Sequence, residues 1–347
     1  MPSVTIDTGA LVAPPLSASP EDVHQYIQSI LDWRRLLDED WVKIYMSERA
    51  PEILFEDGLY PFRESLKQLF TSKGIIQYDV NTVARVTDHL LQLTPTFENF
   101  FNVSDVLASE LSTNPDLLSF SITKNLASDL ARCIVLIAIL RGHCRNPALD
   151  HTLIMRYAPD AQSIEVRALI HEFEHLRDDM EQIPMDPEYF EGTVLVCNSF
   201  RRLVLSIDET AIWDAAQDAV GLDLAVRIAL YKSRIDRQLE PEWDNLGFFV
   251  LGRRFFETAK ACCRVNSGSF PRRVLRAILE TIEGLKMEDT HALREGIGGN
   301  TLQRTRGEDK SWRRDIDYEY HLHYWECEDG SIEFASVVSH NDFSIPE

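Results

Sequence analysis

The sequence predicts a mainly α protein, a large helical body carrying a small carboxy-terminal α+β module built on an antiparallel β-hairpin. Three observations lead there. Apolar residues recur at three- and four-residue spacing over most of residues 20–290. Pro- and Gly-bearing punctuation separates those stretches, as in STNPD, MDPEY and LEPEWDNLG. After residue 300 the chain turns aromatic and β-branched, and it divides at EDGS, a turn holding Asp329-Gly330.

Residues 1–19, rich in Pro, Ser, Thr and Ala, read as a flexible amino-terminal arm. A helix starts in SPEDVHQYIQSILDWRRLL, with Ser19 as cap, Pro20 in the first turn, and Glu21 and Asp22 at the positive end of the helix dipole. Helical spacing continues through YPFRESLKQLF, VNTVARVTDHLLQL and NVSDVLASEL, and then through DLLSFSITKNLASDLARCIVLIAILRGH. The run CIVLIAIL, bounded by Arg132 and Arg141, predicts a helix buried on all sides; it is too short to span a bilayer. SIEVRALIHEFEHLRDDMEQI reads as a helix with Ile164, Ala168, Ile170, Phe173 and Leu176 near one side. TVLVCNSFRRLVLSI, DETAIWDAAQDAVGLDLAVRIALYKSRIDRQL and PRRVLRAILETIEGLK complete the helical set. DYEYHLHYW and SIEFASVVS then read as a strand pair, with earlier strands in EGIGGNTLQRTRGEDKSWRRDI. The expected organisation is an arm (1–19), an acidic helical domain (20–265), and a basic helix with an antiparallel β module (266–347).

With 44% apolar residues among 347, the chain can bury a substantial core, and neither a metal staple nor a cofactor is expected. A net charge of −21 disfavours nucleic acid and anionic membrane over most of the surface, so the acidic body is expected to bind a protein partner and no membrane. The six cysteines form no C-x-x-C pair and two are adjacent, Cys262-Cys263, which points to a reducing, cytoplasmic setting. The amino terminus lacks the basic start and apolar stretch of a signal peptide. Residues 253–314 break the charge pattern. They hold fourteen Lys or Arg against eight acids, a net +6 that leaves −27 on the remainder. Such a segment either docks on acidic protein or faces phosphate.

Two motifs carry chemistry inside the expected helical body. His171-Glu172-Phe173-Glu174-His175 matches H-E-x-x-H, in which two imidazoles one helical turn apart hold zinc and the Glu acts on a zinc-bound water. Glu174 stands where zinc proteases carry an uncharged residue, and no further His follows as third ligand. His171, Glu172 and His175 are therefore the zinc-peptidase alternative, and no metal is expected there. RNPALDH, Arg145 to His151, is similar to the R-x4–6-H motif of the all-helical HEPN ribonucleases.

The carboxy-terminal strands concentrate groups for proton transfer and phosphate binding. His321 and His323 are two apart and share a strand face, and His340 closes the last strand. Arg304, Arg306, Lys310, Arg313 and Arg314 precede them. With SFPRRVLRAILETIEGLK as helix, SWRRDI as an arginine strand, YHLHYW next and IEFASVVSHNDF last, roughly the final 80 residues resemble the RelE/ParE toxin superfamily, HigB-like members included. The resemblance implies a toxin- or defence-type module directed at RNA or the ribosome, and a metal-independent endoribonuclease where it is an enzyme. In that reading His340, His323 and His321 are catalytic, and the five cations bind phosphate. The alternative is a non-enzymatic interaction protein whose acidic body holds a partner.

Overall fold

Residues Ser3–Ile6, SVTI, form strand β1, and all four are buried. The amino-terminal segment is thus an inner strand and not a loose arm. The computed structural model describes residues 2–143, 151–156, 163–175, 182–266, 268–295 and 301–346, and the chain divides into two compact units, Met1–Ser206 and Ile207–Glu347. The break falls at 206/207 instead of the expected 265/266.

The first unit is built on a six-stranded sheet. After β1 come α1 (Pro20–Leu36), β2 (Lys43–Met46), α2 (Ala50–Glu56), α3 (Arg63–Lys73), α4 (Val80–Leu93) and α5 (Phe97–Phe101). They are followed by β3 (Val103–Asn114), α6 (Lys124–His143), β4 (His151–Ile154), β5 (Ser163–His175), β6 (Gln182–Cys197) and α7 (Phe200–Ser206). The sheet order is β2-β1-β4-β6-β5-β3. The first four run parallel, and β5 and β3 are antiparallel to their neighbours. Val4, Ile6, Ile44, Met46 and Ile154 pack into one core with α1, α3 and α4, while Tyr45, Leu153, Met155 and Ile164 pack into another with α6. Strands covered on both faces need apolar residues throughout and lose the alternation that marks a half-exposed strand. The first helix forms as its sequence directs: Ser19 and Asp22 make a reciprocal capping box, and Pro20 occupies the first turn.

The second unit contains α8 (Glu209–Ala215), α9 (Ala219–Asp236), β7 (Phe249–Leu251), α10 (Phe255–Val265) and α11 (Phe270–Ile282), then β8 (Thr290–Ala292), β9 (Thr305–Arg306), β10 (Asp309–Asp315), β11 (Tyr320–Glu326) and β12 (Ile332–Ser339). Its sheet runs β7-β12-β11-β10-β8, with β9 on β10. β11 and β12 pair antiparallel around a turn whose Gly330 sits at φ 81°, and β7 joins the edge of β12 in parallel.

Two six-stranded mixed sheets make this an α/β fold, which overturns the mainly α expectation. The error has a specific cause. Residues four apart share a face on a helix and also on a strand, so Ile164, Ala168 and Ile170 fit both. Val166 decides: Ile164, Val166, Ala168 and Ile170 are buried while Glu165 and Arg167 are exposed, a period of two. NVSDVLASEL likewise lies in β3 and TVLVC in β6, not in helices. The consequence for H-E-x-x-H is direct. On β5, His171 and His175 are about 13 Å apart along the strand, too far to share one ion.

Because β1 is the inner strand between β2 and β4, removing residues 1–19 should abolish the cooperative unfolding of the first unit. Ile6→Ala should cost about 2–5 kcal/mol, read from urea denaturation followed by circular dichroism.

Candidate functional site

The residues expected at the carboxy-terminal site fall into two groups. In the β10–β11 register, Arg313 lies opposite His323 and Asp315 opposite His321; across to β12, His323 lies opposite Ser336. These side chains share one face of the second sheet. His340 follows β12 and lies against β11, its Nδ1 3.1 Å from His321 Nε2, which is also 3.0 Å from Asp315 Oδ1. His321 and His323 are buried and His340 is exposed. Burial is the main influence lowering the proton affinity of His321, with Asp315 opposing it. Burial also pushes His323 down to about 4.

The cations are spread differently. Arg314 is adjacent to Arg313 and faces the other side of β10, fully buried, donating to the carbonyls of Leu285 and Lys286 at 2.5 and 2.8 Å. Arg306 sits between Asp309 and Glu333, and Arg304 donates to the carbonyls of Arg294 and Glu295. Lys310 is exposed. Arg313 lies over the Phe343 ring, 5.6 Å from its centre. Of the five, Arg313 is the one opposite His323, while Arg306, held between its two acids, lies over the Trp325 ring at 4.9 Å.

The other motifs go elsewhere. His171 Nε2 meets Ser109 Oγ at 2.8 Å, and Glu172 is exposed. His151 is buried between the hydroxyls of Ser3 and Thr5, each 2.7 Å from a ring nitrogen; residues 145–150 of the RNPALDH motif lie outside the described residues. Among the described residues no three His, Cys, Asp or Glu side chains are grouped as a metal-binding set.

A second constellation was not singled out from the sequence. It lies at the carboxyl ends of the parallel strands of the first unit, and it starts with Asp7, the residue after β1. β2 lies on one side of β1 and β4 on the other, so the chain's crossovers leave β1 in opposite directions. Open α/β sheets bind ligands in the crevice at such a point. Asp129 of α6 is buried there. Its Oδ2 accepts from Thr8 Oγ1 and its Oδ1 from Ser47 Oγ, both at 2.7 Å. Arg132, one turn later, donates to buried Glu98 at 2.6 Å and to Asp105 at 3.2 Å, and Glu98 also accepts from the Glu48 backbone N–H. Burial and, after it, the charge of Asp129 raise Asp7 to about 7, against backbone N–H donors at Gly9 and Thr8. Gly9 keeps room for the carboxylate, since a Cβ there would stand 2.7 Å from Asp7 Oδ2.

Asp7 and Gly9 line a niche of about 30 Å³ with Met155 and Arg156. Met155 and Arg156 also line a cleft of about 410 Å³ with Asp32, Trp33, Asn198 and Ser199, a size that suits a small ligand. The missed signals were an apolar strand ending in Asp-Thr-Gly, and charged Asp129 and Arg132 placed just ahead of an apolar helical run.

Comparison of the chain with family models, curated proteins and solved structures returned no match. The geometry therefore carries the functional argument.

Two measurements test this description. Glu98→Ala leaves Arg132 buried without its nearest acceptor and should cost about 3–5 kcal/mol in urea unfolding. Asp7 binds its proton more tightly in the folded state than in the unfolded chain, so its contribution to stability is full below about pH 4 and is lost as pH rises through about 7. Asp7→Asn, which stays neutral, should therefore gain stability over the parent progressively across that window and hold a constant margin above it.

Proposed function

We propose that the chain is a hydrolase whose centre is the Asp7–Asp129 pair, acting on a phosphate ester, with RNA as the substrate class. The observation that carries this reading is the buried carboxylate pair at the end of β1, with Asp7 lining a niche that shares Met155 and Arg156 with the larger cleft. Two carboxyl groups whose environments differ divide the work of acid and base. Asp129, oriented by hydroxyl donors from Thr8 and Ser47, is placed to take a proton from attacking water. Asp7, half-protonated near neutral pH, can give one to the leaving oxygen. The same oxygens, with those of Thr8 and Ser47, are hard donors of the kind Mg²⁺ accepts. Assays with and without EDTA separate the two routes. Arg156 at the niche supplies positive charge for an anionic ester, and the net +6 segment at 253–314 adds attraction for RNA.

A second reading keeps the chemistry in the second unit. The contact between His340 and His321, backed by Asp315, is an exposed-to-buried proton path beside Arg313. It suits metal-independent cleavage at a 2′-hydroxyl, as the RelE/ParE resemblance implies.

The test is degradation of labelled single-stranded RNA by purified protein. Asp129→Asn should lower the rate by about 10²-fold or more while His340→Ala leaves it unchanged. The reverse pattern would transfer the activity to the histidines. No degradation by the parent protein would favour a non-enzymatic interaction protein.

A further inference from the structure

Residues 340–346 do not leave the second sheet. They run beside β11 in the same direction, along its histidine face. His340 contacts His321, Ser344 O accepts from His323 Nδ1 at 2.9 Å, and Pro346 O accepts from Trp325 Nε1 at 2.9 Å. Phe343 lies against the Arg313 guanidinium. Asp342 tightens the turn by accepting from both the backbone N–H and the hydroxyl of Ser344. Beneath this segment four polar atoms are buried without a partner: His321 Nδ1, His323 Nε2, Ser336 Oγ and Arg313 Nε. Three of them, from Arg313, His323 and Ser336, form a row across three adjacent strands.

The hydrogen bonds decide where the protons are. Because His323 donates through Nδ1 to a carbonyl, its Nε2 is a bare acceptor at neutral pH. A second proton on that nitrogen would create a buried cation with no acceptor, next to Arg313. Water could solvate it only if the covering segment moved away.

We propose that His340–Pro346 is a proton-released strap, closed at neutral pH over the face formed by Arg313, His321, His323 and Ser336, and lifted when His323 takes a second proton. This rests on the sheet face alone and is independent of the reading of Asp7 and Asp129. The charged and titratable groups facing the histidines are Arg313 and Asp315 of β10, His291 of β8, and Asp342 and His340 of the strap. Asp315 and Asp342 favour the protonated rings, whereas burial and Arg313 oppose them. Burial is the largest influence, and lifting the strap removes it. His323 is held at about 4 when closed against an ordinary 6.5. The open form therefore gains protons that the closed form refuses as pH falls from about 6.5 to 4, and strap closure is lost across that window. The uncovered face would present imidazolium, a hydroxyl and a guanidinium together, the composition of an oxyanion site. Inorganic phosphate bound there would favour the open strap.

Hydrogen exchange of the full chain tests this. Protection at residues 342–345, corrected for the intrinsic pH dependence of exchange, should fall by about 10²-fold between pH 6.5 and 4, while β10 and β11 amides stay protected. Phosphate should move the opening to higher pH than chloride at equal ionic strength. His323→Asn keeps a donor for Ser344 and cannot titrate, so its strap protection should be flat with pH. Should that variant not fold, titration of the His323 ring by NMR in the parent protein replaces it, and the ring should protonate in step with strap opening. Strap protection independent of pH, or lost only together with the whole sheet, would overturn the strap. An opening midpoint identical in phosphate and chloride would overturn the oxyanion site.

Discussion

The carboxylate of Asp129 is the tie on which the first unit's crevice depends. One oxygen accepts from Thr8 after β1, and the other accepts from Ser47 after β2. A single side chain on α6 thus fixes the helix over the carboxyl ends of two parallel strands. Both hydroxyls are buried, and so is the acid. None of the three can turn to water when the contact fails, so each holds the others in place. Arg132, one turn along α6, extends the tie to Glu98 and Asp105, at the end of the unit where α5 leads into β3. Asp7 is buried beside Asp129, and its raised proton affinity follows first from that burial and then from the neighbouring carboxylate.

Much of the local structure was legible from the sequence. The Ser19 cap, the extents of α1 and α4, and the hairpin around Asp329-Gly330 are written in short-range signals: caps, helical periodicity, and a turn glycine in the left-handed region. What failed was the order of the long strands. β5 carries Arg, Glu and His among its apolar residues, and a four-residue spacing serves both periods. β1 failed for a different reason. Ser3, Val4, Thr5 and Ile6 alternate, but four residues are too short a run to mark a strand, and the Pro- and Ser-rich stretch behind them resembles a linker. Only the neighbours, β2 from residue 43 and β4 from residue 151, make it a strand. Long-range pairing of this kind leaves little trace in local composition.

The histidines were legible as a cluster but not in their surroundings. Alternation on β11 put His321 and His323 on one side, and the end of β12 put His340 near them. The segment after His340 carries ordinary residues, yet it supplies the two carbonyls that bury the face. Arg313 and Arg314 look alike in sequence. Strand geometry gives them opposite faces, so one meets the histidines while the other is spent on the loop after α11.

The two units bury titratable groups in opposite ways. In the first, Asp7 is buried beside a second acid, and its neutral form is favoured first by that burial and then by the neighbouring charge. In the second, burial favours the neutral forms of His321 and His323, against Asp315 at His321, and His323 Nε2 has no acceptor for a second proton. The difference matters for what each can do. Asp7, with its proton affinity raised to about 7, suits repeated proton transfer near neutral pH. His323 cannot accept one without displacing the chain above it. A group of the first kind fits a turnover cycle, and one of the second kind fits a change of state. The same force, desolvation of a charge, thus acts on an acid in one unit and on bases in the other.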